Sequence, residues 1–157
     1  MRRKDREVTG KEGINAILRQ CRVARLAFWD EEAPYIVPMN FGYDWQGELP
    51  VLYFHCAGEG KKLSLLEKCP KVGIEMDCGH QLVGEGKACS YGFLFQSIMG
   101  WGTAEKVESL EEKQHGLVCL MRQQTGKEFL VSPEEAASVT VLRVQVCDIS
   151  AKARKSF

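Results

Sequence analysis

Residues 22–57 run Arg22-Val-Ala-Arg-Leu-Ala-Phe-Trp29, Asp30-Glu-Glu-Ala-Pro34, Tyr35-Ile-Val-Pro-Met-Asn-Phe-Gly-Tyr-Asp-Trp45, Gln46-Gly-Glu-Leu-Pro50 and Val51-Leu-Tyr-Phe-His-Cys-Ala57. Three β-branched and aromatic runs are separated by two short polar clusters rich in Gly, Pro and acidic residues. That punctuation predicts three short strands joined by tight turns, an antiparallel meander over 22–57. Pro38 falls inside the second run. Proline cannot donate to a ladder, so this strand belongs at an edge or carries a bulge.

On the N-terminal side, Thr9-Gly10-Lys11-Glu12 reads as a capping box. Ile14, Ile17, Leu18 and Cys21 then recur at helical spacing, which predicts a helix over 10–21. On the other side, a helix runs from Gly60 to about Cys69, where Pro70 stops it. Residues 71–78 form a fourth strand. Cys78–Lys87 reads as a polar, Gly-rich loop. Residues 89–107 carry one long strand or two shorter ones. A helix over 109–124 is capped by Ser109 and carries Leu110, Leu117, Leu120 and Met121 on its apolar side. Ser132-Pro133-Glu134-Glu135 starts a short helix by the cap-then-Pro rule. Residues 139–149 make a last strand, and a basic tail follows over 151–157. The fold class is mainly β, an antiparallel barrel with peripheral helices, in one domain over 1–157.

Bulk properties narrow the function. Lys+Arg and Asp+Glu balance at 21 each in 157 residues. The chain therefore has no global attraction to nucleic acid or to an acidic membrane. No apolar h-region follows Met1-Arg2-Arg3, and no run is long enough to span a bilayer. The seven cysteines lack any C-x-x-C pair and sit mostly in apolar runs, pointing to a reducing, cytoplasmic setting. No metal site is expected, because a three-histidine site would consume His55, His80 and His115 together. Phosphate-loop, dinucleotide-fingerprint, nucleophile-elbow and zinc-protease patterns are all missing from the sequence.

Three segments can carry chemistry. In Ile36–Gly42, Pro38 frees backbone groups that can face a planar ligand; the alternative is a plain edge strand. In Leu52–Lys62, a strand ends in His55, Cys56, Ala57 and glycines, and a helix then opens with Lys61 and Lys62. Open amides and two cations suit a phosphate; the alternative is a turn with solvated lysines. In Ser90–Gly102, aromatics and glycines suit a flat ring, and the alternative is a core strand.

Taken in this order, the motifs resemble the pyridoxamine 5'-phosphate oxidase-like FMN-binding split barrels, and within them the nitroimidazole-resistance branch. The carrying residues are Tyr35–Tyr43, Leu52–Ala57 with Gly60-Lys61-Lys62, Ser97-Ile98-Met99-Gly100-Trp101-Gly102 before Glu111-Glu112-Lys113, and Ile149–Arg154. The resemblance implies a six-stranded split barrel that forms a homodimer, with FMN at the interface and two sites per dimer. It places backbone groups of Pro38, Met39, Asn40 and Phe41 along the isoalloxazine. It places His55, Ala57, Lys61 and Lys62 at the phosphate end. Ser97, Met99 and Trp101 complete the site from the partner chain.

The implied activity passes electrons from a reduced nicotinamide to a small acceptor such as a nitro compound, a quinone or another flavin. His55 or Tyr91 would supply a proton. The alternative is a non-catalytic flavin- or haem-binding, redox-sensing module. Three features depart from the family pattern: Cys56, Trp101 and the lack of an Arg-rich phosphate clamp. The last argues against pyridoxamine phosphate as the substrate.

Overall fold

The computed structural model describes residues 3–154. Strands β1 (Glu7–Val8), β2 (Val23–Phe28), β3 (Tyr35–Asn40), β4 (Gly42–Gln46), β5 (Leu49–Cys56), β6 (Lys71–Val83), β7 (Gly92–Lys106) and β8 (Thr140–Arg154) form one sheet. Helices α1 (Gly10–Leu18), α2 (Lys61–Lys68), α3 (Leu110–Thr125) and α4 (Pro133–Ala137) lie around it. The strands follow the path β3-β2-β6-β7-β8-β5-β4, with β1 on β8, and every pairing is antiparallel.

The ends of that path are β3 and β4, yet only Phe41 separates them in the chain. The sheet must therefore curl until its two edges meet at that residue, which gives a split-barrel-like fold. Phe41 is fully buried there, its ring 6.4 Å from those of Tyr43 and Phe54. Leu26, Phe28, Met76, Ile98, Leu142 and Val144 fill the barrel beside it, and Leu18 of α1 and Leu63 and Leu66 of α2 plug it. A second, smaller core lies outside the barrel wall. Val51 and Tyr53 of β5 and Val141 of β8 pack there with Cys119 of α3.

Several expectations hold. Pro38 sits on an edge strand, opposite Arg25. Ser109 caps α3 by accepting from the Glu112 amide, and Gly126 ends that helix in the left-handed region. The Ser132–Glu135 capping box is complete, with bonds of 3.2 and 2.7 Å. Ser132→Ala is therefore expected to cost about 1 kcal/mol, read as a lower urea midpoint with an unchanged slope.

Others are corrected. The 22–57 meander breaks at Phe41, because that side chain turns into the barrel and sends β4 to the opposite edge. The sheet counts eight strands because the second run is split at Phe41 into β3 and β4 and the two-residue β1 is added, so the six-stranded barrel implied by resemblance is kept. The expected 78–87 loop is largely strand. A bulge between Cys78 and Gln81, with Gly79 at φ +67°, absorbs the polar residues, and β6 then continues to Val83. The Thr9 side chain makes no capping bond, because Gly10 enters the helix at φ +78°.

The basic tail is also corrected through residue 154. Lys152 and Arg154 belong to β8, paired with Ser97 and Phe95, while residues 155–157 lie outside the described residues. Leu110 is exposed rather than apolar-side core. The buried side of α3 instead carries Gly116, Cys119, Leu120 and Gln123. Gln123 donates to the carbonyls of Leu18 (2.7 Å) and Cys21 (2.6 Å), so α3 satisfies the open end of α1.

Candidate functional site

The period-2 alternation of β3 sorts its residues by face. Ile36, Pro38 and Asn40 point outward and are exposed, whereas Val37 and Met39 pack inward against the core. On β7, Ser97, Met99 and Trp101 face outward on either side of the buried Ile98. The ladders join these residues into rows. Pro38 pairs with Arg25, Arg25 with Glu75, and Glu75 with Met99. Ile36 pairs with Ala27, Ala27 with Gly73, and Gly73 with Trp101.

The result is one open face across β3, β2, β6 and β7. It exposes Trp29 (69%), Ile36 (59%), Met99 (52%) and Trp101 (43%). Two shallow, mostly apolar grooves flank Gly73, one running to Trp29 and Trp101 and the other to Ile36 and Met99. The polar element of the face is Arg25, which ion-pairs with Glu75 (2.8 Å) and Asp77 (2.6 Å).

The phosphate-end residues lie where β5 runs into α2. His55 is exposed, as is the whole turn from Ala57 to Gly60. Gly60, at φ +138°, caps the helix with its carbonyl, which accepts from the Leu63 amide at 2.9 Å. It offers no side chain to the first turn, and since the Leu63 and Ser64 amides already bond its carbonyl, the amides of Lys61 and Lys62 are the donors available to an anion. The two lysines differ. Lys61 is committed, 2.8 Å from Asp30 and 4.8 Å above the Tyr35 ring, and it holds the Asp30 carboxyl below its ordinary range. Lys62 is half-buried and makes no ion pair among the described residues. Burial raises the Cys56 thiol, with Lys62 opposing that shift.

The Pro38–Phe41 group divides. Pro38 and Asn40 are presented outward, Met39 offers only its backbone, and Phe41 is core. The Phe41 carbonyl is already taken by Gln124 of α3 at 2.9 Å. Gln124 also receives a bond from Asn40 (3.2 Å) and donates to Arg22 O (3.0 Å), so it fixes the corner between β3 and β4. Nothing in the local pattern marks Gln124, because its partners lie more than eighty residues away.

Within one chain the three groups do not converge. His55 pairs with Val141 on β8 and Met99 pairs with Ser150. Those positions are nine residues apart on one strand, roughly 25–30 Å. Pro38 and Met99 share a row but are three strand spacings apart, about 14 Å. Tyr91 lies farther still, exposed at the tip of the β6–β7 hairpin, so the two proton-donor candidates are not neighbours.

Comparison with known proteins matches residues 11–153 to the family described as pyridoxamine 5'-phosphate oxidase. A candidate 5-nitroimidazole antibiotic resistance protein from Bacteroides thetaiotaomicron is 34% identical, with 94% of this chain and 86% of that one covered and a TM-score of 0.79. An FAD and heme binding protein from Mycobacterium smegmatis shares the fold at 18% identity, covering 97% and 75%, with a TM-score of 0.77. An FAD-binding protein from Mesorhizobium loti does so at 20% identity, covering 94% and 96%, with a TM-score of 0.63. Comparison with curated proteins gives no match. No described helix is long and apolar enough to cross a membrane.

Proposed function

This chain belongs to the pyridoxamine 5'-phosphate oxidase family, and on that premise we propose that it is a flavoprotein holding FMN between two copies of itself. The observation that carries the reading is the separation just described. The phosphate-suited end at His55 and the ring-suited Met99 of β7 sit on one chain too far apart to meet, whereas Lys61 brings α2 against Tyr35 of β3. An open apolar face lies between them. A two-fold pairing through that face would bring Ser97, Met99 and Trp101 of one copy toward Pro38, Asn40 and His55 of the other.

When bound, the flavin supplies the redox chemistry, taking electrons from a reduced nicotinamide and yielding them to a nitro compound, a quinone or another flavin. The chain's own part is positioning. The open amides of α2 and the Lys62 ammonium hold the phosphate. The backbone of Pro38 and Met39 lies along an edge strand whose outer side has no ladder partner, so its polar groups can bond a ring edge. Gln124 stiffens that corner from behind. His55 is exposed and is the better placed proton donor of the two candidates, since Tyr91 stands at the hairpin tip.

The absorbance spectrum of purified protein, taken before and after adding FMN and removing the excess, tests this reading. Retained flavin peaks support it. A colourless protein that cannot be loaded overturns it, and a Soret band replaces flavin with haem. The lysines give a sharper check. Lys62→Ala is expected to weaken FMN by ten- to a hundredfold, about 1.4–3 kcal/mol, while riboflavin changes little. Lys61→Ala should act less, since that ammonium is already paired. Titration of flavin fluorescence reads both, and equal losses for FMN and riboflavin would remove the phosphate assignment.

A further inference from the structure

Outside the flavin site, α3 and β4 bring three metal-ligating side chains together. His115 and Cys119 are four residues apart, on one face of α3. Asp44 meets them from β4. His115 Nε2 lies 3.2 Å from Asp44 Oδ2 and 3.5 Å from Cys119 Sγ, and the three ligand atoms all fall within 4.8 Å of one another. A tetrahedral zinc ion with ordinary Zn–N, Zn–O and Zn–S bonds spaces its ligands at roughly 3.3–3.6 Å. We infer that Asp44, His115 and Cys119 form a three-ligand site for a borderline-soft divalent cation, best suited to zinc.

The surroundings orient each ligand. Asp44 Oδ1 accepts from the Trp45 amide at 2.8 Å, which turns Oδ2 toward His115. The His115 ring stands edge-on to Tyr53, centroids 5.5 Å apart at 83°, which holds its plane. Arg122 Nη2 lies 3.6 Å from Cys119 Sγ, placed to donate to a thiolate in the outer shell. Two glycines hold helix and strand at this separation. A Cβ on Gly116 would meet Tyr53 at 2.7 Å, and one on Gly42 would meet the α3 backbone at 2.1 Å.

Charge and access agree with the geometry. A thiolate and a carboxylate neutralise a divalent ion, and the imidazole adds a neutral donor. Cys119 is buried, but His115 and Asp44 reach solvent, so an ion has an entry path. Asp44 and Cys119 also line a neighbouring cleft of about 430 Å³ whose walls carry Arg19, Arg22 and Arg122, so the negative charge that holds the ion comes from the ligands themselves. Three protein ligands and one open position are the arrangement of exchangeable rather than closed structural zinc.

Cobalt(II) tests the site by spectroscopy, on untagged protein stripped with chelator. One equivalent should bind, with the visible bands of a tetrahedral ion and a near-ultraviolet thiolate-to-metal transition. His115→Gln, at an exposed position, should weaken binding on the order of 100-fold or more while the circular dichroism spectrum is kept. Cys119→Ser should remove the thiolate transition. His80→Gln and Cys147→Ser should leave both signals intact. Zinc should also raise the thermal midpoint of the parent by several degrees and leave folded His115→Gln unmoved. Failure of the parent to bind cobalt or zinc, or binding that survives His115→Gln, overturns the site. Neither readout involves flavin, so the result is independent of the proposed function.

Discussion

Gly42→Ala is expected to be among the most damaging single-methyl changes in the chain. A Cβ built there would lie 2.1 Å from Leu120 N, 2.3 Å from Cys119 C and 2.4 Å from Leu120 Cα. All three are backbone atoms of α3, so no side chain can swing away. The helix would have to lift from β4, taking Cys119 and Leu120 out of their packing and breaking the Gln123 bonds to α1. A loss of about 3 kcal/mol or more follows, read as a fall of roughly 6–12 °C or more in thermal midpoint. Two other glycines calibrate the measurement. Gly47→Ala meets no atom within 4 Å but must hold φ +75°, which costs about 1–2 kcal/mol. Gly58→Ala meets only Thr140 Oγ1 at 3.8 Å and should be near neutral. If Gly42→Ala melts with Gly58→Ala, the close approach of α3 to β4 is wrong, and the Asp44–His115–Cys119 geometry falls with it.

The same contact shows where sequence reading stops. Caps and stops were readable at Ser109, Ser132 and Pro70, because a cap or a stop is decided by residues within three or four positions. Strand existence was readable wherever β-branched and aromatic residues cluster between turns. The hairpins β2–β3 and β4–β5 were readable from their turns, but the pairing of β5 with β8 and of β2 with β6 was not, since it is decided by partners far along the chain. Phe41 looked like one more residue in a strand, and only the barrel interior it enters explains why β3 and β4 part. Gly79 looked like loop because a bulge and a loop use the same residues. Nothing in the sequence pattern singles out Gln123 and Gln124, yet one closes α1 and the other holds the β3–β4 corner.

The candidate site follows the same division. That Pro38 and Asn40 face one way and Met39 the other is a period-2 property and could be read directly. That Lys61 is spent on Asp30 while Lys62 is not could not be read, because Asp30 lies thirty-one residues upstream in a different turn. The metal-ligating trio was invisible for the same reason. His115 and Cys119 have helical spacing, but no motif pairs them with an aspartate seventy-one residues before.

Met99→Asp should separate the two copies and empty the flavin site in one step. Met99 is half-exposed on the β7 side of the open face, beside Trp101 and in a row with Glu75 and Pro38. An apolar face of this breadth is unusual on a lone subunit. In the proposed dimer this position becomes buried, directly opposite Glu75 of β6, with Asp77 on one diagonal and Lys152 of β8 on the other. Arg25 is already shared between the two acids at 2.8 and 2.6 Å, His80 also meets Asp77 at 2.8 Å, and the Lys152 ammonium lies over the Phe95 ring. A new carboxylate would be desolvated and set directly opposite the like charge of Glu75, costing about 3–5 kcal/mol and weakening self-association by roughly a hundred- to a thousandfold or more. In the monomer the same side chain points to water, so the fold should survive. Sedimentation at micromolar protein is therefore expected to show a parent dimer and a Met99→Asp monomer with the same circular dichroism. The variant should retain no FMN although Lys62 and the α2 amides are untouched. A monomeric variant that still binds FMN as tightly as the parent would place the whole flavin site within one chain. A parent that sediments as a monomer would remove the second copy from the mechanism.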